Sequence, residues 1–327
     1  MIKKISCIFL ILILLAGCSE KPQERTIFAM DTVMSISAYT QQSVIQKAVD
    51  RIYELESYFD ANSSDSPVAQ LNSKGKIGAN KDMLLLLTRA KEISRKTEGA
   101  FDPTIYPLVK KWGFISKEYN VPDKEEIDSL LNNVDYNSIV IDNNEISLIN
   151  QATEIDLGAI AKGYTSQQVI DLFKAQGVTS GIISLGGNVY ALGTRQDGKK
   201  WRVGIQAPDS EEYVGVISVS DKAVITSGGY QRFFEKDGVK YHHILNPYTG
   251  YPANAGLKSV TVVSDDGTMA DALSTAIYVM GYDKAVDYWK SEDNFDMILI
   301  DDENEIYVTK GIAEDFSAEK GFFNIIE

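Results

Sequence analysis

The chain has 327 residues, 44% of them hydrophobic, and a formal net charge of −14. A chain of this length and hydrophobic content can bury a large core without cross-links. The acidic balance excludes general binding to nucleic acids and binding to anionic lipid through a basic face. A nucleotide ligand would need a local cation or aimed backbone dipoles to overcome the repulsion of the whole molecule.

Residues 1–18 are typical of an export signal rather than of a folded element. Lys3 and Lys4 precede an apolar stretch over residues 5–15, which is shorter than the roughly 20 residues that a membrane-spanning helix needs. The ending Leu-Ala-Gly-Cys resembles a bacterial lipobox, in which Cys18 is lipidated and becomes the N-terminus. The alternative is an ordinary signal peptide with a coincidental cysteine.

We therefore expect a signal peptide over residues 1–17, a lipidated Cys18 with a polar linker over residues 18–25, and one compact folded unit over residues 26–327. The protein is expected to be exported and anchored by lipid to the extracytoplasmic face of a bacterial membrane. The other cysteine, Cys7, lies in the signal. The mature chain then has no thiol for a disulfide or a thiolate metal site.

Helices, short strands and hairpins are predicted along the rest of the chain. Apolar residues at helical spacing predict helices over residues 42–59, 82–97, 156–176 and 270–280, with a further helix through Trp289. Gly177 is a natural C-cap for the third helix. Strands are predicted over residues 33–39, 139–149, 182–192, 201–207, 214–220 and 258–264, and a hairpin over 297–300 and 306–309. Hairpins dominate, so we expect an α+β fold with largely antiparallel sheets flanked by helices.

Asp271 and Thr275 begin the most informative helix. Residues four apart stand one turn above each other on the same helix face. A carboxylate and a hydroxyl there could hold a hard cation, and Mg²⁺ needs few protein oxygens when phosphate and water complete its shell. Alternatively, Asp271 only favours the helix dipole while Thr275 packs.

The stretch from Glu154 to Tyr164 joins a predicted strand to a predicted helix through small residues that let a ligand approach the backbone. Lys162 could neutralise a phosphate there. The alternative is that Asp156 is an N-cap and Lys162 a solvated lysine. The glycine spacing matches neither a P-loop nor a dinucleotide-binding fingerprint.

The only two histidines of the chain, His242 and His243, are adjacent. Successive residues of a strand face opposite sides, so both cannot point into one site. One could act as a general base, since its ordinary pKa near 6.5 suits that role. The alternative for each is a histidine satisfied by ordinary hydrogen bonds.

Three further turns could admit a ligand. Residues 99–104 are predicted to form a tight loop that contains Phe101 and Asp102. By itself, this segment is typical of a turn that ends a helix. Residues 184–188 and 226–230 are rich in glycine, which either admits a ligand or allows positive φ.

Taken in chain order, these segments resemble the ApbE family of FAD:protein FMN transferases. The resemblance runs from Met30 to about Gly281, so it covers most of the chain beyond the signal. Each motif is common by itself, but the ordered set is specific. The motifs are Met30-Asp31-Thr32, Phe59-Asp60 with Leu71-Asn72, Gly99-Ala100-Phe101-Asp102-Pro103, Asp156-Leu157-Gly158-Ala159-Ile160-Ala161-Lys162-Gly163-Tyr164, Ser184-Leu185-Gly186-Gly187-Asn188, His243-Ile244-Leu245-Asn246-Pro247-Tyr248-Thr249-Gly250 and Ala270-Asp271-Ala272-Leu273-Ser274-Thr275.

The resemblance implies a role for each site residue. Mg²⁺ would be held by the backbone carbonyl of Ala159 and the side chains of Asp271 and Thr275. The catalytic residues would be His243, Asp271 and Lys162, which makes His242 structural. The FAD pocket would be lined by Met30, Phe59, Ala100, Phe101, Asp102, Asp156, Lys162 and Ile244.

The implied reaction is Mg²⁺-dependent transfer of FMN from FAD to a threonine hydroxyl of an acceptor protein, with release of AMP. Acceptors of the family resemble Asp-x-x-(Ser/Thr)-Gly-Ala-Thr segments of membrane redox proteins, and this chain has no such segment. The sequence does not decide whether the proton is accepted by Asp102, Asp156 or His243. Two other functions also fit the sequence: an FAD pyrophosphatase that yields FMN and AMP, and a lipid-anchored protein that binds or stores FAD.

Overall fold

A computed structural model describes residues 21–292 and 294–327. The predicted signal peptide and Cys18 lie outside the described residues. Within these ranges, no helix is both long enough and apolar enough to cross a membrane.

The described residues form seventeen strands and eight α-helices. The strands are β1 (Gln23–Ala29), β2 (Thr32–Ala38), β3 (Lys76–Gly78), β4 (Ile139–Asp142), β5 (Glu145–Leu148), β6 (Gly181–Leu185), β7 (Asn188–Leu192), β8 (Trp201–Gln206), β9 (Tyr213–Val219), β10 (Lys222–Gly228), β11 (Phe233–Lys236), β12 (Val239–His242), β13 (Leu257–Ser264), β14 (Asp296–Asp301), β15 (Ile306–Thr309), β16 (Phe316–Ala318) and β17 (Asn324–Ile326). The helices are α1 (Gln42–Phe59), α2 (Pro67–Lys74), α3 (Lys81–Lys96), α4 (Tyr106–Lys111), α5 (Lys124–Leu131), α6 (Ala161–Ala175), α7 (Gly267–Met280) and α8 (Tyr282–Ser291).

The main sheet has nine strands in the order β1-β2-β6-β7-β10-β13-β14-β15-β17. Every neighbouring pair is antiparallel except β15 with β17. Three smaller sheets are formed by β16-β9-β8, by β3-β5-β4 and by the hairpin β11-β12. The predicted α+β fold with largely antiparallel sheets is confirmed.

The two faces of the main sheet are covered by different layers, which β13 illustrates. Its residues Val260 and Val262 belong to the core formed with α1, α6 and α7. The alternating residue Val263 belongs to a second core formed with β8, β9 and β16. Because side chains alternate between the faces of a strand, β13 is buried on both sides and lies at the centre of the fold.

The third predicted helix begins later than expected. The prediction placed its start at Asp156, whereas α6 begins at Ala161. The residues before it form a turn in which the carbonyl of Leu157 accepts the N–H groups of both Ile160 and Ala161. The C-terminal prediction is right, since Gly177 follows the helix with a left-handed φ of 77°.

The polar segment expected to be a linker over residues 18–25 is in part a strand. β1 begins at Gln23 and pairs in register with β2, from Gln23 opposite Ala38 to Ala29 opposite Thr32. Its first residues are exposed. An edge strand can be held by its backbone hydrogen bonds to the neighbouring strand without an alternation of apolar side chains. Because these residues are polar, the hydrophobic pattern of the sequence does not indicate a strand here.

Helices α6 and α7 approach each other at two glycines. A Cβ atom added to Gly163 would lie 2.2 Å from the carbonyl oxygen of Gly267 and 2.4 Å from Cβ of Asp271. A Cβ at Gly267 would in turn lie 3.1 Å from the carbonyl oxygen of Gly163. The main chains therefore pack at a distance that a larger residue at position 163 does not permit.

We predict that Gly163→Ala lowers the free energy of unfolding by about 1–3 kcal/mol, the usual cost of forcing an extra carbon into a packed interface. Urea denaturation followed by circular dichroism measures this change. Gly78→Ala is the matched control, because no atom lies within 4 Å of the added carbon. Equal stability of the Gly163→Ala variant and the wild type would contradict the close packing of α6 on α7.

Candidate active site

A cavity of about 480 Å³ opens at one end of the main sheet. It is bounded by the β1–β2 turn, the β6–β7 turn, the end of β10, the C-terminal end of α1, the start of α6 and one face of α7. All the predicted catalytic, flavin-binding and metal-binding residues line it, although they come from distant parts of the chain: Met30, Phe59, Ala100, Phe101, Asp102, Asp156, Ala159, Lys162, His243, Ile244, Asp271 and Thr275.

Asp271 is buried on α7, with 5% of its surface exposed. One carboxylate oxygen accepts the backbone N–H of Gly163 at 2.7 Å, and the other accepts Nδ2 of Asn188 at 2.9 Å. The first bond satisfies an N–H of the opening turn of α6, which has no partner within its own helix. Asp271 therefore caps the neighbouring helix rather than favouring the dipole of its own.

The carbonyl of Ala159 lies two residues before α6, in the turn that precedes the helix. No described residue donates a hydrogen bond to this carbonyl. Ala159 is also one of the residues that line the cavity.

Thr275 lies one turn beyond Asp271, and its hydroxyl is 3.3 Å from Oγ of Ser227 on β10. A carboxylate, a carbonyl and a hydroxyl are hard oxygen donors, and each carboxylate oxygen keeps a lone pair beyond its present bond. Among the described residues, no group of three or more His, Cys, Asp or Glu side chains could hold a metal. A cation here would depend on one charged and several neutral oxygens, which fits Mg²⁺ better than a transition metal.

His243 lines the cavity just after the end of β12. Its Nδ1 lies 3.1 Å from the carbonyl oxygen of Arg232. A carbonyl only accepts, so Nδ1 carries the proton and Nε2 of the neutral ring has the free lone pair. Burial lowers the pKa of His243 to about 4, assisted by the nearby positive charge of Arg232. The ring is thus neutral at pH 7 and able to accept a proton.

His242 points away from this site, as the alternation along a strand requires. Its Nε2 lies 2.9 Å from the carbonyl oxygen of Ala253 and 3.4 Å from the hydroxyl of Tyr278. Burial lowers its pKa as well. The side chain joins the hairpin to α7 and does not line the cavity.

Asp156 and Lys162 lie on the two sides of the turn before α6. Burial raises the pKa of Asp156, and this effect is opposed by the N–H groups of Gly158 and Leu157 and by the charge of Lys162. Nζ of Lys162 donates to the carbonyl of Gly158 at 3.2 Å. Asp156 is therefore not the N-cap of α6, and its carboxylate faces the cavity instead.

Asp102 lines the cavity, and its carboxylate holds the neighbouring residues through three hydrogen bonds. One oxygen accepts the N–H and the hydroxyl of Thr104, at 2.8 and 2.6 Å, and the other accepts the N–H of Tyr136 at 3.0 Å. Burial raises its pKa despite these bonds. With its oxygens committed to three donors, Asp102 is a poorer candidate for the base than His243.

The β1–β2 turn carries Met30 into the cavity in an unusual backbone conformation. Met30 and Asp31 both have positive φ, 49° and 58°, as a two-residue hairpin turn of the primed type requires. Neither residue is a glycine, so the turn is strained. The N–H of Met30 donates to Oε1 of Glu56 at 2.5 Å, which holds the turn against α1.

Three lining residues were given no role by the sequence. Asn188 and Ser227 belong to glycine-rich segments that the sequence marks only as possible openings, and they contact the side chains of Asp271 and Thr275. Arg232 contributes a cation to the cavity wall. Its sequence signal was weak, because an isolated arginine after a turn is typical of any surface.

Comparison with known proteins supports one family. The model of the ApbE family matches residues 30–299. A FAD:protein FMN transferase of Treponema pallidum is 31% identical over 316 residues, with 89% of this chain and 87% of the relative covered. A protein of the same description from Klebsiella pneumoniae is 30% identical, with 88% and 91% covered.

Solved structures agree with this assignment. The ApbE protein of Thermotoga maritima superposes with a TM-score of 0.85 at 29% identity, over 90% of this chain and 99% of that one. The flavin transferase ApbE of Vibrio cholerae gives a TM-score of 0.80 at 26% identity, with the same coverage. The ordered motifs, the fold and the cavity where those motifs meet thus lead to one conclusion: this chain belongs to the ApbE family.

Proposed function

We propose that this chain is an FAD:protein FMN transferase, which moves FMN from FAD to a hydroxyl of an acceptor protein. The observation that carries the proposal is the single cavity in which a neutral histidine, a lysine and a set of hard oxygen donors meet. Relatives that cover nearly the whole chain are FAD:protein FMN transferases, which favours this function over FAD hydrolysis or storage.

The transfer needs a base and charge neutralisation from this chain. The acceptor oxygen bonds to the FMN phosphorus, the bond from that phosphorus to the bridging oxygen breaks, and AMP leaves with the electron pair. His243 accepts the hydroxyl proton at Nε2, since Nδ1 is already a donor to Arg232. Lys162 balances negative charge on the phosphoryl groups, which is the main requirement of phosphoryl transfer.

The metal proposed for this site is Mg²⁺, held by Asp271, Thr275 and the carbonyl of Ala159. The free carbonyl and the oxygen donor set support this choice. When bound, Mg²⁺ supplies positive charge next to the pyrophosphate and lowers the cost of the developing charge. Asn188 keeps the Asp271 carboxylate oriented through its 2.9 Å bond.

The acceptor and the location of the reaction are also proposals. The acceptor is a protein with an Asp-x-x-(Ser/Thr)-Gly-Ala-Thr-like segment, expected in a membrane redox subunit. The chain itself is exported and attached through Cys18 to the extracytoplasmic face of the membrane. The sequence of residues 1–18 supports this arrangement.

We predict that the chain from Ser19, which retains every described residue, adds FMN to such an acceptor domain when FAD and Mg²⁺ are present. Intact-mass spectrometry of the acceptor detects the addition. EDTA abolishes it, and Asp271→Ala lowers the rate by about 100-fold or more at ordinary Mg²⁺, because several kcal/mol of charge stabilisation are lost.

Asp287→Ala, which removes an exposed carboxylate of α8, is the matched control and keeps full activity. Full activity of Asp271→Ala would contradict the metal site. Conversion of FAD to FMN and AMP with an unmodified acceptor would instead identify a pyrophosphatase. If the wild type left FAD intact, the result would support a protein that only binds or stores FAD.

The two histidines give a second test. His243→Ala is expected to lower the transfer rate by about 10²–10⁴-fold, the usual contribution of a general base. His242→Ala is expected to lower it by less than about 10-fold, because that side chain only joins the hairpin to α7. Steady-state rates at saturating FAD measure both changes, and the reverse order would show that the wrong histidine was chosen.

The lipid anchor has its own matched pair of variants. In a bacterial host fed with labelled palmitate, Cys18→Ala is expected to abolish labelling and to release the protein from the membrane fraction. Cys7→Ala is expected to change neither, since this residue lies within the signal. Labelling that persists in Cys18→Ala would contradict the lipobox.

A further inference from the structure

The cavity is short of positive charge for a ligand with a pyrophosphate. Among the described residues that line it, acidic side chains outnumber basic ones. The basic ones are Lys162 and Arg232, and the acidic ones are Asp31, Glu56, Asp60, Asp102, Asp156 and Asp271. In a chain with a net charge of −14, each cation of this wall has a large effect on a bound anion.

Arg232 has no competing partner for its guanidinium. No carboxylate of residues 21–292 or 294–327 forms an ion pair with it. By contrast, Arg51 and Arg89 are each paired with carboxylates at helix surfaces. The donors of Arg232 are therefore available to a ligand in the cavity.

The side chain of Arg232 is exposed, and its guanidinium has one aromatic contact. Its central carbon lies 6.0 Å from the centre of the Phe114 ring, at the outer limit of a cation–π contact. The main chain of Arg232 is anchored as well, because its carbonyl accepts both the N–H and Nδ1 of His243, each at 3.1 Å. The ring of Phe114 packs in turn against that of His243, at 6.4 Å between centres.

These contacts place the positive charge of Arg232 close to both functional sides of the cavity. It lowers the pKa of His243, after the larger effect of burial. It also opposes the rise in pKa that burial causes at Asp156, which precedes the turn with Lys162. The guanidinium thus lies within electrostatic reach of His243 and of Asp156, which precedes the turn before α6.

We propose that Arg232 is a further substrate-binding residue, which contacts the pyrophosphate of FAD from the side of the cavity that holds His243. It works together with Lys162, which lies on the α6 side. A guanidinium suits this position better than an ammonium group, because it can donate two parallel hydrogen bonds to one phosphate. The inference rests on FAD as the substrate proposed above.

Binding without turnover tests this assignment. The dissociation constants of FAD and of riboflavin, which lacks phosphate, are measured by flavin fluorescence in EDTA with the chain from Ser19. Arg232→Gln is expected to weaken FAD binding by about 10- to 100-fold, the usual loss of charge-assisted hydrogen bonds. Riboflavin binding is expected to change by less than about 2-fold. Arg232→Lys is expected to fall between the wild type and Arg232→Gln.

Arg202→Gln is the matched control, since Arg202 is exposed on β8 and does not line the cavity. Retained riboflavin binding shows that each variant is folded. Unchanged FAD binding in Arg232→Gln would overturn the proposal, and so would an equal loss for FAD and riboflavin. These results are independent of the transfer assay, so failure of the wild type to modify an acceptor would count against the proposed function alone.

Discussion

The hydrogen bond from the N–H of Gly163 to the carboxylate of Asp271 is the contact on which the site depends. It forms only because α6 and α7 meet at glycines, which brings their main chains together. The same bond caps α6 and orients a buried carboxylate towards the cavity, close to the Ala159 carbonyl that accepts no hydrogen bond from a described residue. One contact between two helices thus assembles the oxygen donors proposed for the metal.

A second constraint is charge. An acidic protein that binds a dinucleotide must place its few useful cations where the phosphates lie, since its overall field is unfavourable. Here Lys162 lies in the first turn of α6, while Arg232 is anchored through its own carbonyl to His243. The base and a cation therefore flank the same hairpin, with Arg232 just before β11 and His243 just after β12. The hydrogen bond between them ties the orientation of one to the position of the other.

The elements with strong periodicity were predictable, and those without it were not. α1 matches its predicted range of residues 42–59. Apolar residues at helical spacing over such a long segment are compatible only with a helix. The sequence predicts a linker for the first part of β1, because an exposed edge strand carries no such pattern. The start of α6 was placed too early, because the glycine and small residues of the turn before it fit a helix start as well as a loop.

The sequence by itself determined the α+β class, the ordered motifs and the family they identify, because these depend on local spacing and on residue identity. It could not decide whether Asp271 merely favoured a helix dipole, which histidine faced the cavity, or that Arg232 belonged to it. Those answers depend on neighbours that are distant in the chain: Gly163 and Asn188 for Asp271, the carbonyl of Arg232 for His243, and Phe114 for Arg232. Only the tertiary structure brings these groups into contact.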